Sequence, residues 1–178
     1  MRRLALTVAI AAIALVGCDQ KEAAQLPPPL AMTQDAIGHY CGMNLLEHPG
    51  PKGQIIVKSL IEPVWFSSAR DAIAFTMLPD EPKDIQAIYV SDMGKAASWD
   101  KPGADNWVDA REALFVIGSS VKGGMGSEEA VPFSEHAAAE KFVRQNGGRI
   151  VSFTEVPRDY VLGSGEQTTG AAGHGPNH

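Results

Sequence analysis

Two stretches of this chain read alike. Val64-Trp65-Phe66-Ser67-Ser68-Ala69-Arg70-Asp71-Ala72-Ile73-Ala74-Phe75 aligns with Val131-Pro132-Phe133-Ser134-Glu135-His136-Ala137-Ala138-Ala139-Glu140-Lys141-Phe142. Each copy has a short β-like lead, Phe-Ser at the turn, and a helical run with a second Phe nine residues after the first. Ser67 and Ser134 stand where helix N-caps belong, with a side-chain oxygen available to the free amides of the first turn. Gly147-Gly148 follows the second run as a C-terminal stop. Gln54–Leu60, Ile85–Val90, Leu114–Ile117 and Arg149–Phe153 are rich in β-branched or aromatic residues and read as strands. The pattern predicts an α+β fold of two related small ββαβ-type units forming one compact globular region. The first unit spans residues 36–94, the second 107–162, and residues 95–106 connect them.

The ends of the chain read differently. Met1-Arg2-Arg3, an apolar run from Leu4 to Val16, and Gly17-Cys18 make a secretory signal peptide over residues 1–17. The apolar run is too short to cross a hydrocarbon layer of about 30 Å as a helix. Leu15-Val16-Gly17-Cys18 also resembles the bacterial lipobox, in which the cysteine is lipidated and becomes the first mature residue. Asp19 resembles a signal for retention at the inner membrane, so the mature chain is expected on the periplasmic side of a membrane. Residues 18–35, with Pro27-Pro28-Pro29, read as an extended tether between lipid and domain. Residues 163–178 are Gly-rich, carry His174 and His178, and read as a disordered tail.

Removing residues 1–17 leaves 13 basic residues against 21 acidic ones, a net charge of −8. Nucleic acid is a poor partner for such a chain, because phosphate binding needs clustered Lys and Arg. Docking partners are expected to present basic or neutral faces. The chain has two cysteines, too few for a disulfide scaffold or a Cys-only zinc site. With Cys18 used for lipid, the mature domain keeps one thiol, Cys41. A lone thiol in an oxidising compartment is an oxidation liability unless it has a function.

Cys41 lies in His39-Tyr40-Cys41-Gly42-Met43, and Gly123-Gly124-Met125-Gly126 precedes the second Phe-Ser turn. Both are Gly-Met loops upstream of a helix, and glycine permits the positive φ that such loops need. A thiolate near thioethers is a soft donor set that favours Cu(I) over Mg²⁺ or Ca²⁺. The candidate metal ligands are Cys41, Met43 and Met125, with Met93, His39 and His48 as further candidates. A low-coordinate sulfur site also suits a carrier, since a recipient ligand can attack the open metal. No catalytic residue or bound organic cofactor is expected.

The lipoprotein signal, the Pro-rich tether, Tyr40-Cys41-Gly42-Met43, the Phe-Ser helix start and Gly123-Gly124-Met125-Gly126-Ser127-Glu128-Glu129-Ala130-Val131-Pro132-Phe133 together resemble the NosL family over about residues 36–157. The resemblance implies a Cu(I) metallochaperone that delivers copper to apo nitrous-oxide reductase through a membrane-associated ABC-type maturation complex. It implies two ββαβ units similar to treble-clef-like halves. Cys41 and Met43 correspond to the family's Cys-Gly-Met motif, and Met125 to its second loop.

Two other classes fit less of the sequence. A nucleophilic Cys41 needs a base or a positive partner to lower its pKa. His39 is near, but no acid-oriented His is evident and there is no second thiol to resolve an intermediate. A metal-free assembly lipoprotein would use Cys41 only as packing.

Overall fold

The structure, a computed structural model, describes residues 26–163. A strand–strand–helix–strand run occurs twice along it. The first comprises β1 (Gly53–Val57), β2 (Val64–Phe66), α1 (Ala69–Met77) and β3 (Ile85–Ser91). A short strand β4 (Trp107–Asp109) follows. The second run comprises β5 (Leu114–Ile117), β6 (Val131–Phe133), α2 (His136–Asn146) and β7 (Arg149–Ser152). A last turn of helix, α3 (Arg158–Leu162), ends the described chain. The two sheets have orders β2-β1-β3-β4 and β6-β5-β7, so the first strand of each run lies at the centre, antiparallel to its neighbours.

One core joins the two runs. Ile55, Phe66, Ile73, Phe75, Ile88 and Val90 from the first pack with Phe115, Ile117 and Val151 from the second. Strand β5 alternates faces, as the two-residue period of a strand requires. Phe115 and Ile117 enter the shared core, whereas Val116 joins a smaller cluster with Val131, Phe133 and Ala139 beneath α2. Apolar cover on both faces is why Leu114–Ile117 is an unbroken apolar run. Burying each large apolar side chain contributes about 1.5–3 kcal/mol.

Three sequence expectations change. The caps sit one residue later than the Phe-Ser pattern places them. Ser68 is the N-cap of α1, its Oγ accepting from Asp71 N at 3.3 Å, while Glu135 begins α2 without a side-chain cap bond. Ser67 and Ser134 bond elsewhere: Ser67 receives the Cys41 thiol, and Ser134 Oγ donates to Asp92 Oδ2 at 2.5 Å.

Second, Trp107–Asp109 does not open the second unit but pairs with β3, Val90 opposite Val108. The reason is Asn106, whose Nδ2 donates to Asp92 O at 2.7 Å and Pro102 O at 2.8 Å, turning the chain back onto the first sheet. Third, the described part of the tether is docked. Gln54, wholly buried, donates through Nε2 to Leu30 O and accepts from Leu30 N through Oε1, each at 2.8 Å. Tyr89 OH donates to Pro27 O at 2.7 Å, and Met32 and Ala36 pack on Leu45. A buried amide gains by satisfying both its donor and its acceptor, which a free tether would leave unmet. The signal peptide, Cys18, Asp19, His174 and His178 lie outside the described residues. Among the described residues, no helix is long and apolar enough to cross a membrane.

Candidate metal site

The edge strand β2 carries the first loop. Gly38 bridges alongside Trp65, and His39 N donates to Trp65 O at 2.7 Å. The loop then closes on itself: Gly42 N donates to Gly38 O at 2.8 Å, Gly38 N to Met43 O at 2.9 Å, and Ile37 bridges Asn44. Gly42 has φ +66°, in the left-handed region where a side chain costs about 1–2 kcal/mol. This turn puts Cys41 and Met43 on either side of it. Wholly buried Leu45 anchors the loop from below.

Cys41 is half-buried, and Met43 is more than a third exposed. The Cys41 thiol donates to Ser67 Oγ at 3.5 Å and lies 4.0 Å from Gly38 O. Once the thiol is ionised, the Ser67 hydroxyl can turn and donate to the sulfur, so the same contact serves both states.

His39 and Tyr40 face a different partner. Tyr40 OH donates to Glu81 Oε1 at 2.9 Å, and His39 Nε2 lies 3.4 Å from the same oxygen. The His39 ring is edge-on to Phe66 and Phe75, at centroid distances of 5.8 and 5.6 Å. Burial, followed by the bond to Glu81 and its charge, pushes the Tyr40 hydroxyl well above its ordinary range. The pair straps the loop to the turn after α1.

The second loop is a tight turn. Gly126 N donates to Gly123 O, and Gly123 N to Ser127 O, both at 2.9 Å. Met125 stands at its tip, 53% exposed. Gly124 lies directly on the segment that follows the first loop: a Cβ there would sit 2.8 Å from Pro49 O and 2.9 Å from His48 Cβ. Only glycine permits that approach.

Lys52 braces the contact from inside. It is 1% exposed, and its Nζ donates to His48 O at 2.7 Å, Gly50 O at 2.8 Å and Pro49 O at 3.2 Å. Burial pulls its ammonium down to about 8, against the charges of Glu129 and Cys41, which favour the cation.

The structure thus places Cys41 and Met43 in one exposed loop and lays the Met125 loop against the segment that follows it. Met93 is elsewhere: it packs in the cluster beneath α2 and its N–H donates to Pro132 O at 2.9 Å. His39 is engaged with Glu81. His48 points its Nε2 into the interior without a hydrogen-bond partner, beside a cavity of about 220 Å³ that Met32, Leu46 and Lys52 also line. Among the described residues, no group of three His, Cys, Asp or Glu side chains is placed to hold a metal ion. Of the candidate donors at the two loops, Met43 and Met125 are exposed, Cys41 is half-buried, and His39 is exposed but shares its Nε2 with Glu81; the three sulfur atoms have the soft character that suits Cu(I).

Sequence reasoning missed Lys52, Glu129 and Glu81, and read Ser67 only as a cap. A lone lysine between Pro51 and Gly53 looks solvent-facing. Glu129 sits in an acidic pair, Glu128-Glu129, whose members look alike until one is buried.

The family model for NosL matches residues 29–161. The chain is 45% identical over 161 residues to the copper-binding lipoprotein NosL of Achromobacter cycloclastes, covering 90% of this chain and 83% of that protein. It is 32% identical over 174 residues to the copper-binding lipoprotein NosL of Stutzerimonas stutzeri, covering 97% and 90%. The crystal structure of the copper chaperone NosL from Shewanella denitrificans superposes with a TM-score of 0.69 at 36% identity, covering 74% of this chain and 98% of that one. A match spanning both loops, both sheets and the docked N-terminal segment decides the matter: the chain belongs to the NosL family.

Proposed function

We propose that this protein is a lipid-anchored periplasmic carrier of Cu(I), holding its cargo at Cys41 and Met43 with Met125 from the second loop. The observation that carries this reading is an accessible thiol–thioether loop, held rigid by β2 and Leu45, with a second exposed thioether on the loop that abuts its continuation. Relatives named copper-binding lipoproteins and a copper chaperone support copper as the cargo. Thiolate and thioether softness favours the cuprous state. Half-exposed donors let a recipient ligand enter before the first bonds break.

The client follows from family resemblance: apo nitrous-oxide reductase, reached through an ABC-type maturation complex. Residues 1–17 are removed on export, Cys18 takes the lipid, and Asp19 favours the inner membrane. The hydrogen-bond partner of Cys41 is a hydroxyl rather than a base, and Lys52, the cation whose field reaches it, directs its donors at three backbone carbonyls, which favours a carrier over a thiol enzyme.

Titration of the domain with Cu(I) against a chromophoric chelator tests the proposal. Wild type should compete for the metal, Cys41→Ser should lose competition, and Met43→Ala and Met125→Ala should each weaken it about tenfold. Unchanged affinity in both Cys41→Ser and Met43→Ala would refute it. Copper K-edge absorption on the loaded protein should show sulfur scatterers, with nitrogen from His39 or His48 as the contrary result.

A further inference from the structure

Glu129 is a buried acid that the sulfur site does not account for. It is 1% exposed, and Oε1 takes every donor within reach: Ser68 Oγ at 3.1 Å, Arg70 N at 2.9 Å and Ala130 N at 2.9 Å. Oε2 is equally buried and has no partner. It faces Gly123, where an added Cβ would lie 2.8 Å away. Lys52 and Asp71 are the charged groups that act on it, one attracting and one repelling, while the Arg70 guanidinium turns away to donate to Tyr160 O at 3.0 Å. Tyr160 OH donates to the Glu129 carbonyl at 2.8 Å, pinning its backbone as well.

An isolated carboxylate in the interior is costly, and an apolar residue would serve packing better. Its placement explains its presence. Glu129 ends the loop that carries Met125, and its side chain binds the first turn of α1. Ser68 and Arg70 follow Ser67, whose hydroxyl meets the Cys41 sulfur. One carboxylate thus ties the base of the Met125 loop to the residues beneath Cys41, and its free oxygen abuts the glycine where the turn begins.

We propose that Glu129 is a positioning residue for the copper site, holding the Met125 loop in register with Cys41. The proposal rests on the Cu(I) reading given above. Residues that orient metal ligands typically alter affinity by about 10–100-fold when removed. Glu129 hydrogen-bonds none of the three sulfur donors, so as a positioning residue for the Met125 loop its effect runs through Met125 rather than through the Ser67 side, and that dependence is measurable.

Cu(I) affinity by chelator competition in a double-mutant cycle provides the test. Glu129→Ala should weaken binding about tenfold or more in wild type, and less than about twofold in a Met125→Ala background. Glu129→Gln, whose carbonyl can accept the same three donors, should restore affinity to within about threefold of wild type. Gly123→Ala, a wedge against Oε2 in an exposed turn, should reproduce the loss if Glu129→Ala does not fold. Copper K-edge spectra should lose one sulfur scatterer in Glu129→Ala.

Wild-type affinity in both Glu129→Ala and Gly123→Ala would overturn the proposal, as would equal losses with and without Met125. If Met125→Ala itself changes nothing, the ligand assignment falls and takes this proposal with it. Retained affinity in the Glu129 variants alongside a weakened Met125→Ala would remove only the positioning role.

Discussion

Replacing Gly38 with alanine puts a methyl group where the Cys41 sulfur now lies. The new Cβ would be 2.5 Å from Sγ, with Leu45 Cδ1 at 3.6 Å and Met43 O at 3.7 Å in ordinary contact. Gly38 is not among the positive-φ glycines, so its backbone accepts alanine, and lost freedom in the unfolded chain offsets part of any strain. The conflict is therefore with one atom. Sγ must recede by about 1 Å to reach ordinary contact distance. The sulfur swings about the Cα–Cβ bond, and a 1 Å displacement takes χ1 about 30–40° from its rotamer, costing about 1 kcal/mol. The 3.5 Å contact with Ser67 is altered in the same movement. Copper would bind a sulfur held off its rotamer, so affinity should fall about five- to tenfold. Chelator competition reads the affinity, and thermal denaturation of the apo protein should show Tm unchanged within about 2–4 °C. Ser67→Ala removes the hydroxyl without moving the sulfur and should cost less than Gly38→Ala. Wild-type affinity in Gly38→Ala, or a loss no larger than that of Ser67→Ala, would refute the steric reasoning.

Three further outcomes follow from the buried polar groups. Burial pushes the Glu129 carboxyl up to about 7, against backbone and hydroxyl donors that favour the anion. Its contribution to stability is therefore full below about pH 4.5 and declines as pH rises through about 7, by about 3 kcal/mol. Urea unfolding at pH 5 and 8 should show this slope, and Glu129→Gln should flatten it; equal slopes in both proteins would rule it out. Burial also raises the Asp92 carboxyl, but bonds from Ser134, Lys95 and Gly94 outweigh it and hold the group below the ordinary carboxylate range. Asp92→Asn turns donors against donors and should cost about 2–3 kcal/mol, a Tm fall of about 5–10 °C at neutral pH. The stabilisation from Asp92 should vanish as pH falls through its folded pKa, so a variant matching wild type near pH 7 would contradict the assignment. Gln54→Leu leaves the Leu30 amide and carbonyl without their partner, and hydrogen exchange at Leu30 should accelerate while β1 and β3 stay protected; unchanged exchange at Leu30 would show the segment is held by other contacts.

Asp92 and Glu129 also explain how the two runs hold together. Asp92, at the end of β3, accepts from Ser134 N and Oγ before α2; Glu129, before β6, accepts from Ser68 Oγ and Arg70 N at the start of α1. Glu129 thus takes a first-turn amide of α1, where free amides and the helix dipole favour negative charge, while Asp92 fixes the residue before the N-cap of α2. Exchanged carboxyl groups and one shared core couple the two Gly-Met loops to the whole fold rather than to one half.

The strands at Ile85–Val90 and Leu114–Ile117 and the glycine stop after α2 were legible in the sequence, as were the sulfur atoms of Cys41, Met43 and Met125, whose role as ligands is the proposal made above. They depend on side-chain branching, on backbone freedom and on atom identity, all carried by a few neighbouring residues. The caps were misplaced by one residue because Ser67 and Ser134 are drawn to partners tens of residues away, the Cys41 thiol and the Asp92 carboxylate. The assignment of Trp107–Asp109 to the first sheet, the docking of residues 27–36 through Gln54, and the meeting of Gly124 with His48-Pro49 are long-range pairings with no local signature. Burial likewise separates Glu129 from Glu128 and Lys52 from the other described lysines. Donor identity belongs to the sequence. Which loops meet, and which charges lose their water, belongs to the tertiary structure, because solvation is decided by neighbours that the chain brings together only on folding.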